Sequence, residues 1–251
     1  MTPNKIAVDF SEIERRALGG TNLLCNSRYV MPSKSRRVPV AQSIRTSLLW
    51  DRPIKFVSHW GVGSRNAVGP AENEAIAFLT EMMDELREVC LVSVNVEFFI
   101  TDTHARLNQF PTKNIESYCA SALELLISNS FSAKSMSSFL HDIGQWSQVE
   151  PIIGNGDLPD ISWQIHPGKL KELSRLAHLR SKRSDPLEAA TRYYIVNLIE
   201  NIAITEGNPG SLFLSYSAPG MDFLLPATHF QKSICGPVGK GIHGVPGLWS
   251  R

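Results

Sequence analysis

The chain has 251 residues, with 25 Lys plus Arg against 24 Asp plus Glu, a formal net charge of +1 and 43% hydrophobic residues. This balance excludes a disordered chain, a collagen-like repeat and a polybasic nucleic-acid binder, and a chain of this length buries roughly 70% of its unfolded surface without a disulfide or metal staple. One large domain, or one domain with a small helical appendage, is the expected organisation.

Asp9 to Leu18 reads as a short helix that Gly19 and Gly20 would stop. From Cys25 to Val40 the sequence is basic and turn-prone, with Arg28, Lys34, Arg36 and Arg37 and prolines at 32 and 39. Residues 1–50 are therefore expected to be a helical or lid segment ahead of a catalytic domain over 51–251. Arginines in such a lid could grip a carboxylate or phosphate with paired hydrogen bonds. After Pro53, Ile54-Lys55-Phe56-Val57 is a predicted strand that ends at Ser58-His59-Trp60, followed by the loop Gly61-Val62-Gly63-Ser64-Arg65. Pro70 opens a predicted helix to Cys90, with Ile76, Leu79, Met83 and Leu86 at helical spacing and acidic residues between them. Val92 to Ile100, rich in Val and Phe, is the second predicted strand.

Thr101-Asp102-Thr103-His104-Ala105-Arg106-Leu107-Asn108 follows that strand directly, and Ser117 to Ile127 then reads as a helix. A turn through 128–138 leads into another helix around Phe139, and glycine and proline between Pro151 and Pro159 predict a surface loop. Lys169 to Lys182 is a basic helix candidate. Asp185 and Pro186 start a helix toward Ile204 that buries Ala189, Tyr193, Val196 and Ile199 and turns Arg192 and Glu200 to solvent or a cleft. Leu212 to Tyr216 and Met221 to Leu225 are two short predicted strands joined at Pro219-Gly220. Together these elements predict an α/β chain with a Rossmann-like three-layer fold, a mainly parallel sheet and an antiparallel C-terminal edge.

Residues that carry chemistry gather behind the two early strands, where a parallel sheet presents ligand-binding backbone. Gly61 and Gly63 permit close backbone approach to an anion, and Arg65 is placed to meet substrate. The full G-x-G-x-x-G pattern is absent. Asp102 could accept from a substrate ammonium, His104 could carry a proton, Arg106 could pair with a carboxylate and Asn108 could orient either partner, with helix capping the plain alternative for Asp102 and Asn108. Trp60, Tyr118, Trp146, Tyr193 and Tyr216 lie near element ends or on inward faces, where a ring attracts a sulfonium or an ammonium unless it only fills the core.

Cys25, Cys90, Cys119 and Cys235 lie far apart without a CxxC pair, which fits a reducing cytosol, and residues 1–10 lack the apolar centre of a secretion signal. Apolar stretches break well before the roughly 18 residues of a membrane span. The seven histidines show no H-E-x-x-H spacing, so no metal is expected, and no G-x-S-x-G elbow is present. The expected partner is a small molecule in the cytoplasm, with neither nucleic acid nor membrane involved.

The order of these signals resembles the isonitrile synthase superfamily. The resemblance rests on the Pro53 to Trp60 strand, the acidic helix led by Pro70, the strand ending Thr101-Asp102-Thr103-His104, and Leu214-Ser215-Tyr216-Ser217 leading to Leu225. It implies a Rossmann-like enzyme of secondary metabolism acting on an aromatic amino acid and a pentulose phosphate. Where those enzymes carry an Asp-Gly turn, this chain has Asp102-Thr103-His104. In size, order and aromatic character the chain is also similar to bacterial azetidine-2-carboxylate synthases. That likeness implies S-adenosylmethionine as substrate rather than cofactor, methylthioadenosine as leaving product, and a functional link to a peptide synthetase in non-ribosomal peptide biosynthesis. Under it, Asp102 or His104 would manage the amine, Asn108 or Tyr118 would hold it, Arg65 or Arg106 would grip the carboxylate, and Trp60 and Tyr193 would shield the sulfonium. An S-adenosylmethionine methyltransferase and a non-enzymatic metabolite-binding subunit are the other readings.

Overall fold

Along β1 (Ile54–Trp60), Ile54, Phe56 and Trp60 enter one hydrophobic cluster and Val57 enters another. A strand of period two does this when both faces are covered. β2 (Val94–Ile100) divides in the same way, with Val94, Val96, Phe98 and Ile100 on one side and Phe99 on the other. The structure is a computed structural model that describes residues 9–25, 34–62, 65–154, 156–158, 185–214 and 232–234.

With β3 (Ser132–Ser135), β4 (Leu212–Leu214) and β5 (Lys232–Ile234), the strands form a five-stranded sheet in the order β3-β2-β1-β4-β5. All four recorded pairs are parallel, and β1 meets β2 from Ile54 opposite Val94 to Trp60 opposite Ile100. On one face, α1 (Phe10–Leu24), α2 (Lys34–Leu49), α3 (Pro70–Cys90) and α5 (Thr112–Ser128) supply Leu24, Ile44, Leu79 and Leu126 to the larger cluster. On the other face, α6 (Met136–Asp142), α7 (Trp146–Ile153) and α8 (Pro186–Gly207) supply Leu140, Val149 and Val196 to the smaller one. The short α4 (Asp102–Leu107) follows β2 at the carboxyl end of the sheet. This is a three-layer α/β fold with a parallel central sheet and helices on both sides.

The chain steps from β1 to β2 to β3, then returns through α6, α7 and α8 to lay β4 beside β1. The direction of travel therefore reverses at β1 and β4. In such sheets the crevice for a ligand opens beyond the carboxyl ends of the strands at this reversal.

Local chemistry explains the helix ends. Pro70 takes the first helical position of α3, and Glu72 accepts the Gly69 N–H at 2.9 Å. Asp185 caps α8 by accepting from Leu187 N–H at 2.8 Å and Glu188 N–H at 3.3 Å, with Pro186 next in line.

Several expectations from the sequence need correction. α1 does not stop at Gly19 and Gly20 but runs through both to Leu24, because a Cβ at Gly20 would stand 2.6 Å from Cys90 Sγ and one at Gly19 would stand 2.8 Å from Val89 Cγ1. The glycines let α1 approach α3. Within the basic stretch, residues 34–40 are not a turn-prone arm but the start of α2, whose Val40 and Ile44 are fully buried. The serine-rich turn contains β3, which pairs with β2, and Pro151 lies inside α7 rather than opening a loop. Of the two placings expected for Arg192 and Glu200, solvent or a cleft, solvent is excluded, since both are buried. The C-terminal edge is parallel where it is described, since β5 runs parallel to β4. The basic helix over 169–182, Tyr216 and the 221–225 strand lie outside the described residues.

Candidate active site

The ends of β1 and β2 are tied side by side, with Thr101 N–H donating to the Trp60 carbonyl at 2.9 Å. α4 starts at the next residue and directs Thr103 and His104 toward α8. The Thr103 hydroxyl makes a short hydrogen bond to Glu200 Oε1. His104 Nε2 lies 2.8 Å from Glu200 Oε2, but the approach is oblique and neither atom has an aligned hydrogen-bond partner. The Tyr193 ring meets the His104 ring edge-on at 4.5 Å, two turns before Glu200 on the same face of α8. His59, near the end of β1, stands 6.5 Å from His104 between ring centres and 5.4 Å from Phe213 of β4. The cluster thus occupies the reversal between β1 and β4.

The surroundings set its charges. Burial opposes ionisation of Glu200, but the attraction of His104 and its contact, the nearby His59 and the Thr103 hydroxyl outweigh it and hold the carboxyl below the usual range. Burial, reinforced by His104 and partly offset by Glu200, pushes His59 down to about 4. At neutral pH the cluster therefore contains a carboxylate and an uncharged His59. Oε2 of a buried carboxylate with no aligned donor is an uncommon feature that calls for a ligand, water or catalytic explanation.

A second buried network lies across the sheet. Trp60 Nε1 donates to the Tyr118 hydroxyl at 3.2 Å, and that hydroxyl donates to Glu72 Oε1 at 2.9 Å. Arg65 Nη2 reaches the same oxygen at 2.5 Å. Trp60 is fully buried, with its ring edge-on to Phe98 at 5.3 Å.

The residues singled out in the sequence therefore fall into groups. His104 and Tyr193 come together on one face, and Trp60, Tyr118 and Arg65 come together on the other through Glu72. Trp60 packs into the larger hydrophobic cluster against Phe98, whereas Tyr193 meets His104. Asp102 is buried, accepts from the Ser137 N–H at 3.0 Å and hydroxyl at 2.5 Å, and has Arg106 Nε at 3.6 Å, so it joins the end of β2 to the first turn of α6. Asn108 caps α4 and donates to the His104 carbonyl at 2.7 Å. Gly61 follows Trp60 at the strand end, and Gly63 lies outside the described residues.

Sequence reasoning missed His59, Thr103 and Glu72, and left Glu200 between solvent and a cleft. The signal for Glu200 was a polar stripe on an otherwise apolar helix: Tyr193, Asn197, Glu200 and Asn201 share one side of α8 and are all buried.

Other chemistry is less well supplied. Burial pushes the Cys90 thiol up to about 11 and the Cys119 thiol up to about 12, so neither provides a thiolate at neutral pH. Among the described residues, no group of three His, Cys, Asp or Glu side chains is arranged to hold a metal, and no helix is long and apolar enough to cross a membrane. An open groove of about 590 Å³ runs along α3 past Glu81, Asp84, Glu85 and Glu88 to Asn129. It shares no residue with the His104 cluster.

No family model and no curated protein matches the chain. Among solved structures, the chain is similar to the crystal structure of the PvcA protein from Pseudomonas aeruginosa, with a TM-score of 0.57 and 14% identity over 95% of this chain and 87% of that one. The chain therefore shares its three-layer α/β fold with PvcA over nearly its whole length.

Proposed function

We propose that the protein is an enzyme that activates the amine of an amino-acid substrate at His104 and Glu200 and joins it to a pentulose phosphate, as isonitrile synthases do. The observation that carries this reading is the buried, obliquely set His104–Glu200 contact at the strand reversal. The shared fold and the sequence resemblance add support. Glu200, held as a carboxylate, favours the tautomer with the proton on His104 Nε2. Nδ1, the other ring nitrogen, is then the acceptor for a proton from the substrate ammonium. The N–H pair stays on nitrogen, which becomes the nucleophile toward the sugar carbonyl. Arg65 and Arg106, both partly exposed behind the strand ends, suit the carboxylate and phosphate of these substrates.

A second reading, cyclisation of S-adenosylmethionine to azetidine-2-carboxylate, is favoured by one feature. The Glu200 carboxylate and the Tyr193 ring flank His104, and together they suit a cationic substrate whose amine must lose a proton.

Incubation with tryptophan or tyrosine plus ribulose 5-phosphate, followed by mass spectrometry, is expected to yield the corresponding isonitrile. Equimolar methylthioadenosine and azetidine-2-carboxylate from S-adenosylmethionine alone would replace that reading with the second. S-adenosylhomocysteine in the presence of an acceptor would identify methyl transfer, and no product in any incubation would leave a metabolite-binding role.

A further inference from the structure

Glu72 is a carboxylate with no exposed surface, and three donors converge on it: the Tyr118 hydroxyl and Arg65 Nη2 on Oε1, and the Gly69 N–H on Oε2. A charge buried this completely requires a counter-charge, and Arg65 supplies it. Of the three donors, Arg65 reaches solvent, with its side chain 45% exposed. It does so on the loop that leaves β1, at the carboxyl edge of the sheet. Only Nη2 is used by Glu72, so the Nε and Nη1 donors of the planar fork have no partner among the described residues.

Gly69 adds to the arrangement. A Cβ there would meet Arg65 Nη1 at 3.3 Å, so glycine leaves the guanidinium room to lie over the start of α3. Behind Glu72, Tyr118 passes the contact to Trp60 Nε1 at the last residue of β1.

We infer that Glu72 is a positioning residue that holds Arg65 as the anion-receiving group of the site, with Tyr118 and Trp60 fixing Glu72 to the end of β1. The anion is a carboxylate or a phosphate monoester carried by the substrate. This rests on reading the carboxyl edge of the sheet as the substrate site. An unrestrained surface arginine loses side-chain freedom when it grips an anion, whereas one already fixed by a buried carboxylate has lost it beforehand. The network also gives Trp60 and Tyr118 a role that does not require them to touch substrate.

Calorimetric titration of the purified protein with inorganic phosphate, and separately with acetate, tests this without any turnover. Failure of the catalytic reading is therefore distinguishable from failure here. Wild type is expected to bind at least one of the two anions, phosphate more tightly if a phosphate ester is the natural group and acetate more tightly if a carboxylate is. Arg65→Ala should abolish binding. Glu72→Gln should weaken it by about tenfold, and Glu72→Asp, which keeps the charge but draws it back, should weaken it to an intermediate degree. If Glu72→Gln fails to fold, Glu72→Asp carries the same comparison. No binding of either anion by wild type would overturn the inference, as would unchanged affinity in folded Glu72 variants.

Discussion

His59 links the chemistry of the site to the stability of the fold. Its imidazole is half-buried beside Phe213 and near His104, and its proton affinity is pushed down to about 4, against about 6.5 for an unfolded chain. Between these values the unfolded chain binds a proton that the folded chain does not, so stability rises with pH across that window and is lost as pH falls toward 4. Glu200 acts in the same direction at lower pH: its carboxyl is held below the unfolded range, so its contribution is present above that range and lost as pH falls through the folded value. The His59 part amounts to about 3 kcal/mol between pH 7 and pH 4. Urea midpoints measured across this range should fall steeply for wild type and less steeply for His59→Phe. Equal slopes in the two proteins would show that His59 is not held uncharged by burial. Little of this was visible in the sequence, since His59 is one of seven scattered histidines and its burial depends on β4 and α8, which lie far along the chain.

At the scale of elements, the contact between α1 and α3 shows why local rules misplaced a helix end. Glycine weakens an isolated helix, and two in succession read as a stop. Here Gly20 lies against Cys90, Ile44 and Leu86, with an added Cβ at 2.6, 3.2 and 3.2 Å from them respectively. Helix propensity alone predicts that Gly20→Ala stabilises by roughly 1 kcal/mol. Overpacking predicts a loss of about 1–3 kcal/mol, and the 2.6 Å distance to Cys90 Sγ makes this the larger effect. Chemical denaturation of Gly20→Ala should therefore give a lower midpoint, and a higher one would mean that α1 does not approach α3 so closely. β3 escaped notice for a related reason. Its Ser-Ala-Lys-Ser sequence has no strand-favouring side chains, and it is ordered by pairing with β2 and by the Lys134–Glu97 contact at 3.0 Å. By contrast β1, α3, β2, α5 and α8 were legible because each has a strong apolar period or a proline-led start.

For the molecule as a whole, the parallel sheet could be anticipated from the alternation of strand, loop, helix and strand, and so could the placing of polar residues behind β1 and β2. What could not be anticipated is that the sheet separates them. Trp60 and His59 are neighbours in sequence, so a strand of period two sends them to opposite faces. Each face then acquires a carboxylate from a distant helix, Glu72 on one side and Glu200 on the other. The partner of His104 could be found only once α8 was folded against α4, because a glutamate on a helix ordinarily faces water. The proposed reaction requires His104 and Glu200 to act together on the substrate amine. The most direct test is single-turnover product formation, with amino acid and ribulose 5-phosphate, by wild type, His104→Asn, Glu200→Gln and the double variant. Each single change is expected to slow the reaction by about 10²–10⁴-fold, with the double variant no slower than the worse single one. Wild-type rates in folded Glu200→Gln, or losses that simply multiply in the double variant, would contradict this joint role.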